Sequence, residues 1–270
     1  MSTDSFAPAS RPRRGRIRFG SIRAIFALIM REMATTYGRS PGGYVWAIVE
    51  PAAAVTVMSL VFSALVRTPS LGINFPMFYA TGMLPFLLYV SVQAKVAGGL
   101  TYSRPLLAYP TVTYLDSLLA RFILEVITKL LVGYIVFTSI LVLYETRVNL
   151  NFPIIFSAYA LVSLFSFGIG TFNCYMSTRF TIYQRAWSIM TAPLFILSGI
   201  FFTYEDIPPT YQEYIWYNPL IHITGLMRSG FYSTYRPDFI SEIYVIGVSL
   251  VFLALGLLLL WRYHRDLLNL

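Results

Sequence analysis

The chain has 270 residues, of which 57% are hydrophobic and 12% charged, about half the ~25% charge of ordinary globular proteins. Its mean hydropathy of +0.65 excludes a soluble fold, and its net charge of +8 comes almost wholly from Arg, because Lys95 and Lys129 are the only lysines. One cysteine (Cys174) and two distant histidines (His222 and His264) exclude an intrachain disulfide and a cysteine metal cluster and leave no obvious metal site.

Residues 1–16 carry four Arg and little apolar content, and read as a disordered tail. From residue 17 to 38 the pattern changes. Ile22, Ile25, Phe26, Ile29 and Met33 share one face of a helix, which predicts an amphipathic element in the headgroup layer. It serves either as a simple anchor or as a clamp for a partner. Arg39-Ser40-Pro41-Gly42-Gly43 then breaks the helix.

About 20 apolar residues span a ~30 Å hydrocarbon core, and six segments meet that test. They are 44–66, whose apolar run is interrupted by Glu50-Pro51, 75–96, 118–144, 154–176, 186–204 and 243–261. The predicted class is therefore an all-α integral membrane protein. Glu50 is an intramembrane carboxylate, either functional or snorkelling toward the surface. Residues 97–117 form the longest connection on the N-terminal side. There Pro105 and Pro110 flank a short apolar turn at Leu106–Tyr109, suited to a docking lever or to an ordinary loop. Asp116 opens the third span, and Arg121, Glu125 and Lys129 follow at four-residue spacing, a self-neutralising ladder that fastens helices or lines a vestibule. With Glu50 these residues form a candidate charge network.

The segment 205–242 has too many apolar residues for a free loop and too many breakers for a span. Eight aromatics between Tyr204 and Tyr235, with Pro208, Pro209 and Gly225, point to short re-entrant helices over a pore mouth, or to an interfacial aromatic belt. Of the 20 basic residues, only Arg67, Arg147, Arg228 and Arg236 fall on the far side, which places both termini in the cytoplasm. The surplus charge thus describes orientation, and no nucleic-acid partner is expected.

A phosphate-cradling Gly-Lys-Ser/Thr loop is excluded, since Lys95 follows Ala94 and Lys129 follows Thr128. Any active work must draw on a gradient or on a separate ATPase. The chain itself is expected to be no enzyme and to hold no cofactor.

Several stretches resemble a known family. They are Arg31-Glu32, Tyr37-Gly38-Arg39, Gly43-Tyr44-Val45-Trp46-Ala47-Ile48-Val49-Glu50-Pro51, Phe75-Pro76, Gly82-Met83-Leu84-Pro85-Phe86, the run from Asp116 through Arg121 to Glu125, Ser198-Gly199-Ile200-Phe201, Ile207-Pro208 and Trp216-Tyr217-Asn218-Pro219-Leu220. Over about residues 22–265 the sequence is similar to capsule polysaccharide export permeases, the KpsM-type membrane subunits of ABC exporters, related to the O-antigen exporters. The resemblance implies a six-span homodimer in the bacterial inner membrane, bound to two copies of an ATPase subunit that holds ATP and Mg. It also implies a periplasmic adaptor, an outer-membrane polysaccharide exporter, and a lipid-anchored, usually acidic polysaccharide as substrate. Carried onto this chain, it makes 22–37 an interface helix, 101–114 the carrier of a coupling helix (Tyr102, Ser103, Arg104, Pro105, Leu106, Leu107), and 207–235 the gate helices. Candidate polymer contacts are Trp46, Tyr102, Arg121, Arg185, Tyr204, Tyr211 and Trp216, the cations suiting an acidic polymer. Two other readings stay open. One is a membrane-embedded transferase acting on lipid-linked sugars, using Glu50 or Asp116 with His264. The other is a small-molecule exporter of the same architecture.

Overall fold

The computed structural model describes residues 20–36, 43–65, 68–107, 112–146 and 148–268; among them there is no strand. The helices are α1 (Gly20–Thr36), α2 (Gly43–Leu65), α3 (Phe75–Ala97), α4 (Gly99–Leu107), α5 (Tyr114–Leu143), α6 (Phe152–Arg179), α7 (Tyr183–Leu197), α8 (Pro209–Trp216), α9 (Pro219–Phe231) and α10 (Glu242–Leu268), with a 3-10 turn at Tyr204–Asp206. The tail 1–16 and the break at 39–42 lie outside the described residues.

Five of these helices are long and apolar enough to cross a membrane: α2 from Val45, α3, α5, α6, and α10 as far as Tyr263. Helix α3 is the most buried of the five and packs against α2, α5, α6 and α9. Its Tyr89 ring stacks on Phe165 of α6 at 5.2 Å between centroids. Helix α2 runs unbroken through Pro51, so the polar interruption of its apolar run at Glu50-Pro51 does not break the helix. Helix α5 starts on a capping box: Thr113 N–H donates to the Asp116 carboxylate at 3.0 Å, and Asp116 N–H donates to Thr113 Oγ1 at 3.2 Å. Asp116 therefore caps a helix and stands apart from the expected charge ladder.

Helices α6 and α10 pack together closely because small residues let their backbones approach. A Cβ placed on Gly256 would lie 2.5 Å from the Phe172 backbone nitrogen, and one on Gly168 would strike the Ser249 carbonyl oxygen. Gly256→Val is expected to force the pair apart at a cost of about 1–3 kcal/mol of overpacking. It should appear as a lower melting temperature in detergent, whereas Gly247→Ala, at a glycine with open space around it, should melt like the parent.

The segment expected as a fifth span, 186–204, folds differently. Helix α7 begins at Tyr183 and stops at Leu197 after 15 residues, about 22 Å at 1.5 Å per residue. The chain then turns through Gly199 at φ +71°, a left-handed conformation that glycine adopts without steric cost. Hydropathy averaged the two parts into one apolar stretch. The turn leaves carbonyls without helical partners, and side chains near or on α9 supply them. Asn218 Nδ2 donates to Leu197 O (3.0 Å), Thr224 Oγ1 to Ser198 O (2.8 Å), and Arg228 to Ile200 O (3.1 Å) and Phe202 O (2.8 Å). Each unsatisfied backbone group in an apolar setting is costly, so these four bonds make the break tenable.

Helix α1 docks on α5. The expected single apolar face is divided between two surroundings: Ile25, Ile29 and Met33 are half-buried, while Ile22 and Phe26 are exposed and continue to Met30. One stripe meets protein and its neighbour faces outward. Helices α2 and α7 are also poorly covered; no residue of α7 is buried.

Candidate functional site

At the end of the bundle formed by α1, α4 and the start of α5, one guanidinium joins four elements. Arg121 of α5 is 8% exposed and pairs with Glu32 of α1, itself 5% exposed, through Nε at 3.0 Å to both carboxylate oxygens and Nη2 at 3.0 Å. Its Nη1 donates to Lys95 O at the end of α3 (2.9 Å), and its Cζ lies 4.3 Å above the Tyr102 ring of α4. Tyr102 in turn shares a 2.5 Å hydrogen bond with Thr35 of α1, and Arg31 Cζ lies 5.5 Å from the centroid of the same ring. Ser117 Oγ of α5 donates to Gly99 O (3.0 Å) and shares a 2.6 Å hydrogen bond with Ser103 Oγ, a second tie between α4 and α5. A bidentate, largely desolvated Arg–carboxylate pair is both strong and geometrically specific.

The Arg121–Glu125–Lys129 ladder is only partly formed. Glu125 lies 3.9 Å from Lys129 and accepts from Ser91 Oγ, but Arg121 turns to Glu32, 89 residues away in sequence. Sequence reasoning left Glu32 off the working face of α1. Its spacing of three, four and seven from Ile29, Leu28 and Ile25 puts it on the docking stripe, and that was the available signal. Arg104 is exposed on α4, a helix that runs ahead of the expected turn at 106–109; the side chains of Pro105, Leu106 and Leu107 lie outside the described residues. Trp46 (64% exposed) and Glu50 stand on the open side of α2, and Arg185 is exposed on α7. The structure thus does not gather Trp46, Arg121 and Arg185 into one cluster of contacts.

The opposite end is built from α8, α9 and the start of α10. Trp216 is half-buried: its Nε1 donates to Phe239 O (3.0 Å) and its ring meets His222 edge-on at 5.1 Å. Tyr204 stacks on Phe239 at 4.1 Å. Tyr204, Trp216, Glu213, Tyr214 and Tyr217 line an open cleft of about 490 Å³, while Tyr211 stands outside it, 61% exposed. Arg228, which the charge distribution assigns only to the far side, is 1% exposed, with its guanidinium 4.1 Å over the Phe78 ring. Burial lowers its pKa to about 10, so it remains a cation at neutral pH.

His222 joins α9 to the start of α10. Ser241 N–H donates to Nδ1 at 3.2 Å, so Nδ1 must accept, which leaves the proton on Nε2 for Trp216 O at 2.7 Å. Burial lowers the pKa of this ring below 6.5. The unfolded segment therefore binds the proton first, and stability present above pH 6.5 is lost as pH falls below it. Hydrogen exchange of 239–245, corrected for the intrinsic rate, is expected to show more opening at pH 5.5 than at 7.5. His222→Gln should remove the difference.

The sequence pattern of the ABC-2 type transporter family matches residues 23–232. The chain belongs to this family. Among curated members it is 29% identical over 233 residues to the polysialic acid transport protein KpsM of Escherichia coli, covering 86% of this chain and 90% of that protein. It is 27% identical over 244 residues to the capsule polysaccharide export inner-membrane protein CtrC of Neisseria meningitidis serogroup B, and 26% over 246 residues to BexB of Haemophilus influenzae. Both alignments cover 90% of this chain and 92% of the relative. For an ABC-2 chain, the cluster around Arg121 and the segment 197–231 both fall inside the matched region.

Proposed function

We propose that this chain is the membrane-spanning permease subunit of an ATP-driven exporter that moves lipid-linked capsular polysaccharide across the bacterial inner membrane. The similarity to a polysialic acid transport protein and two capsule polysaccharide export proteins, over nearly their full length, carries the reading. Two copies would pair through their open faces, for which the uncovered α2 and α7 are suited, and each would bind one copy of a separate ATPase that supplies ATP and Mg. Both termini lie in the cytoplasm, and α7 with its capped turn makes the fifth of six crossings. A periplasmic adaptor and an outer-membrane exporter continue the path beyond α8 and α9. In this reading the chain catalyses no reaction itself. The transferase alternative loses a candidate, because Asp116 spends its carboxylate on the α5 cap.

ATP-driven closure of the ATPase pair would push on α4. The bonds from Arg121 and Tyr102 to Glu32, Thr35 and the end of α3 would carry that displacement into α1 and the bundle. Leu106→Asp with Leu107→Asp is expected to abolish polymer-stimulated ATP hydrolysis while the chain still inserts in the membrane. Unchanged stimulation in the reconstituted complex would reject α4 as the docking element. Deleting the gene should remove surface polysaccharide.

A further inference from the structure

Between α3, α4, α6 and the start of α7 lies a cleft of about 580 Å³ that shares Tyr102 and Arg121 with the cluster above and is otherwise lined by residues given no role so far. Its polar wall is an ordered chain: Asn173 Nδ2 donates to Gln93 Oε1 (3.1 Å), and Tyr183 Oη donates to Asn173 Oδ1 (2.6 Å). Tyr183 also stacks with Trp187, which lines the same cleft, at 6.0 Å and 21°. The Trp187 indole N–H is buried and has no acceptor among the described residues, a cost relieved when an acceptor arrives. Arg121 is the sole charged residue on the lining, and Glu32 already meets its charge. Fixed amides and hydroxyls beside flat aromatic faces, with no net charge on offer, match the hydroxyls and C–H faces of a pyranose ring. They do not match a phosphate or a carboxylate.

We infer that this cleft is a saccharide subsite at the α4 end of the bundle, where one sugar unit of the polymer is held by shape and hydrogen bonding and not by charge. The inference rests on the export reading. It differs from the expectation that cations such as Arg121 grip an acidic chain: the acidic groups of the polymer would point away from this cleft. The Gln93–Asn173–Tyr183 chain presets the amide orientations, so binding a sugar unit costs little ordering.

The test uses the native host with p-benzoylphenylalanine in place of Gln184, an exposed residue on the lining, and a control at Leu258, 60% exposed on α10. Cells labelled with radioactive glucose are irradiated and the chain is purified. Labelled glycan attached at position 184, at least fivefold above position 258, is the expected result. Tyr183→Phe, which removes only the hydroxyl on Asn173, should lower that yield several-fold at unchanged chain abundance. Equal yields at 184 and 258, or an adduct at 184 that extracts as phospholipid without glycan, would overturn the subsite. So would the lack of any glycan adduct at 184 in a host whose surface polymer disappears on gene deletion, with the export reading intact. Surface polymer that persists after deletion would overturn the export reading and the subsite with it.

Discussion

Arg228→Met is expected to destabilise the chain more than any other single change considered. The thioether replaces a cation that satisfies two carbonyls, Ile200 O and Phe202 O, and lies over Phe78. Nothing else that is described donates to those oxygens once the guanidinium is gone. One buried and one part-buried acceptor left without donors cost about 2–4 kcal/mol, and the lost cation–π contact adds about 2 kcal/mol at a desolvated site. Arg228→Lys keeps the charge but has one compact ammonium where the planar fork reached both carbonyls, so it should fall between parent and Met. Melting of the purified chain in detergent checks the order: parent, then Lys, then Met. Gly82 bears on the same point. A Cβ there would lie 3.0 Å from Ile200 Cα and 3.3 Å from the Arg228 guanidinium, so Gly82→Val should act like a weaker Arg228 variant.

Glu32→Gln carries the second large effect. It leaves Arg121 charged, 8% exposed and without its carboxylate, at a cost of about 3–5 kcal/mol for a broken buried pair. The double variant Glu32→Gln with Arg121→Met removes the stranded charge and should regain much of that loss. A double-mutant cycle on detergent melting then gives a coupling of about 2 kcal/mol or more if the pair acts as a unit. Stability and transport are expected to separate here. Because the pair ties α1 to α5 and, through Tyr102, to α4, the rescued double variant should insert and melt near the parent yet respond poorly to ATP hydrolysis. Equal stimulation in parent and double variant would mean that α4 transmits its displacement by Ser117 and packing alone.

The five long helices are legible in hydropathy because their signal is additive along the chain, and no tertiary contact is needed to make 20 apolar residues favour a bilayer. The same averaging hid the end of α7. Ser198-Gly199 adds little to a hydropathy sum, yet the positive φ at Gly199 ends the helix. The burial of Arg228 is hidden for a related reason: counting basic residues by loop assigns each to a side and says nothing about burial. The Arg121–Glu32 pair was out of reach of spacing rules, which relate residues three or four apart, whereas these are 89 apart. Aromatic concentration near Tyr204–Tyr235 was visible, but which rings pack inward (Trp216) and which stand exposed (Tyr211, Tyr214, Tyr217) depends on how α8 and α9 turn.

The four donors that hold the turn after α7 come from residues 218–228, not from the turn itself. The two stretches therefore form one heritable unit. A chimera whose 218–228 stretch comes from a chain without side-chain donors at 218, 224 and 228 would keep the acceptors without their donors, whatever its hydropathy. Between chains that differ at those positions, breakpoints that yield working hybrids should accordingly lie outside 197–228.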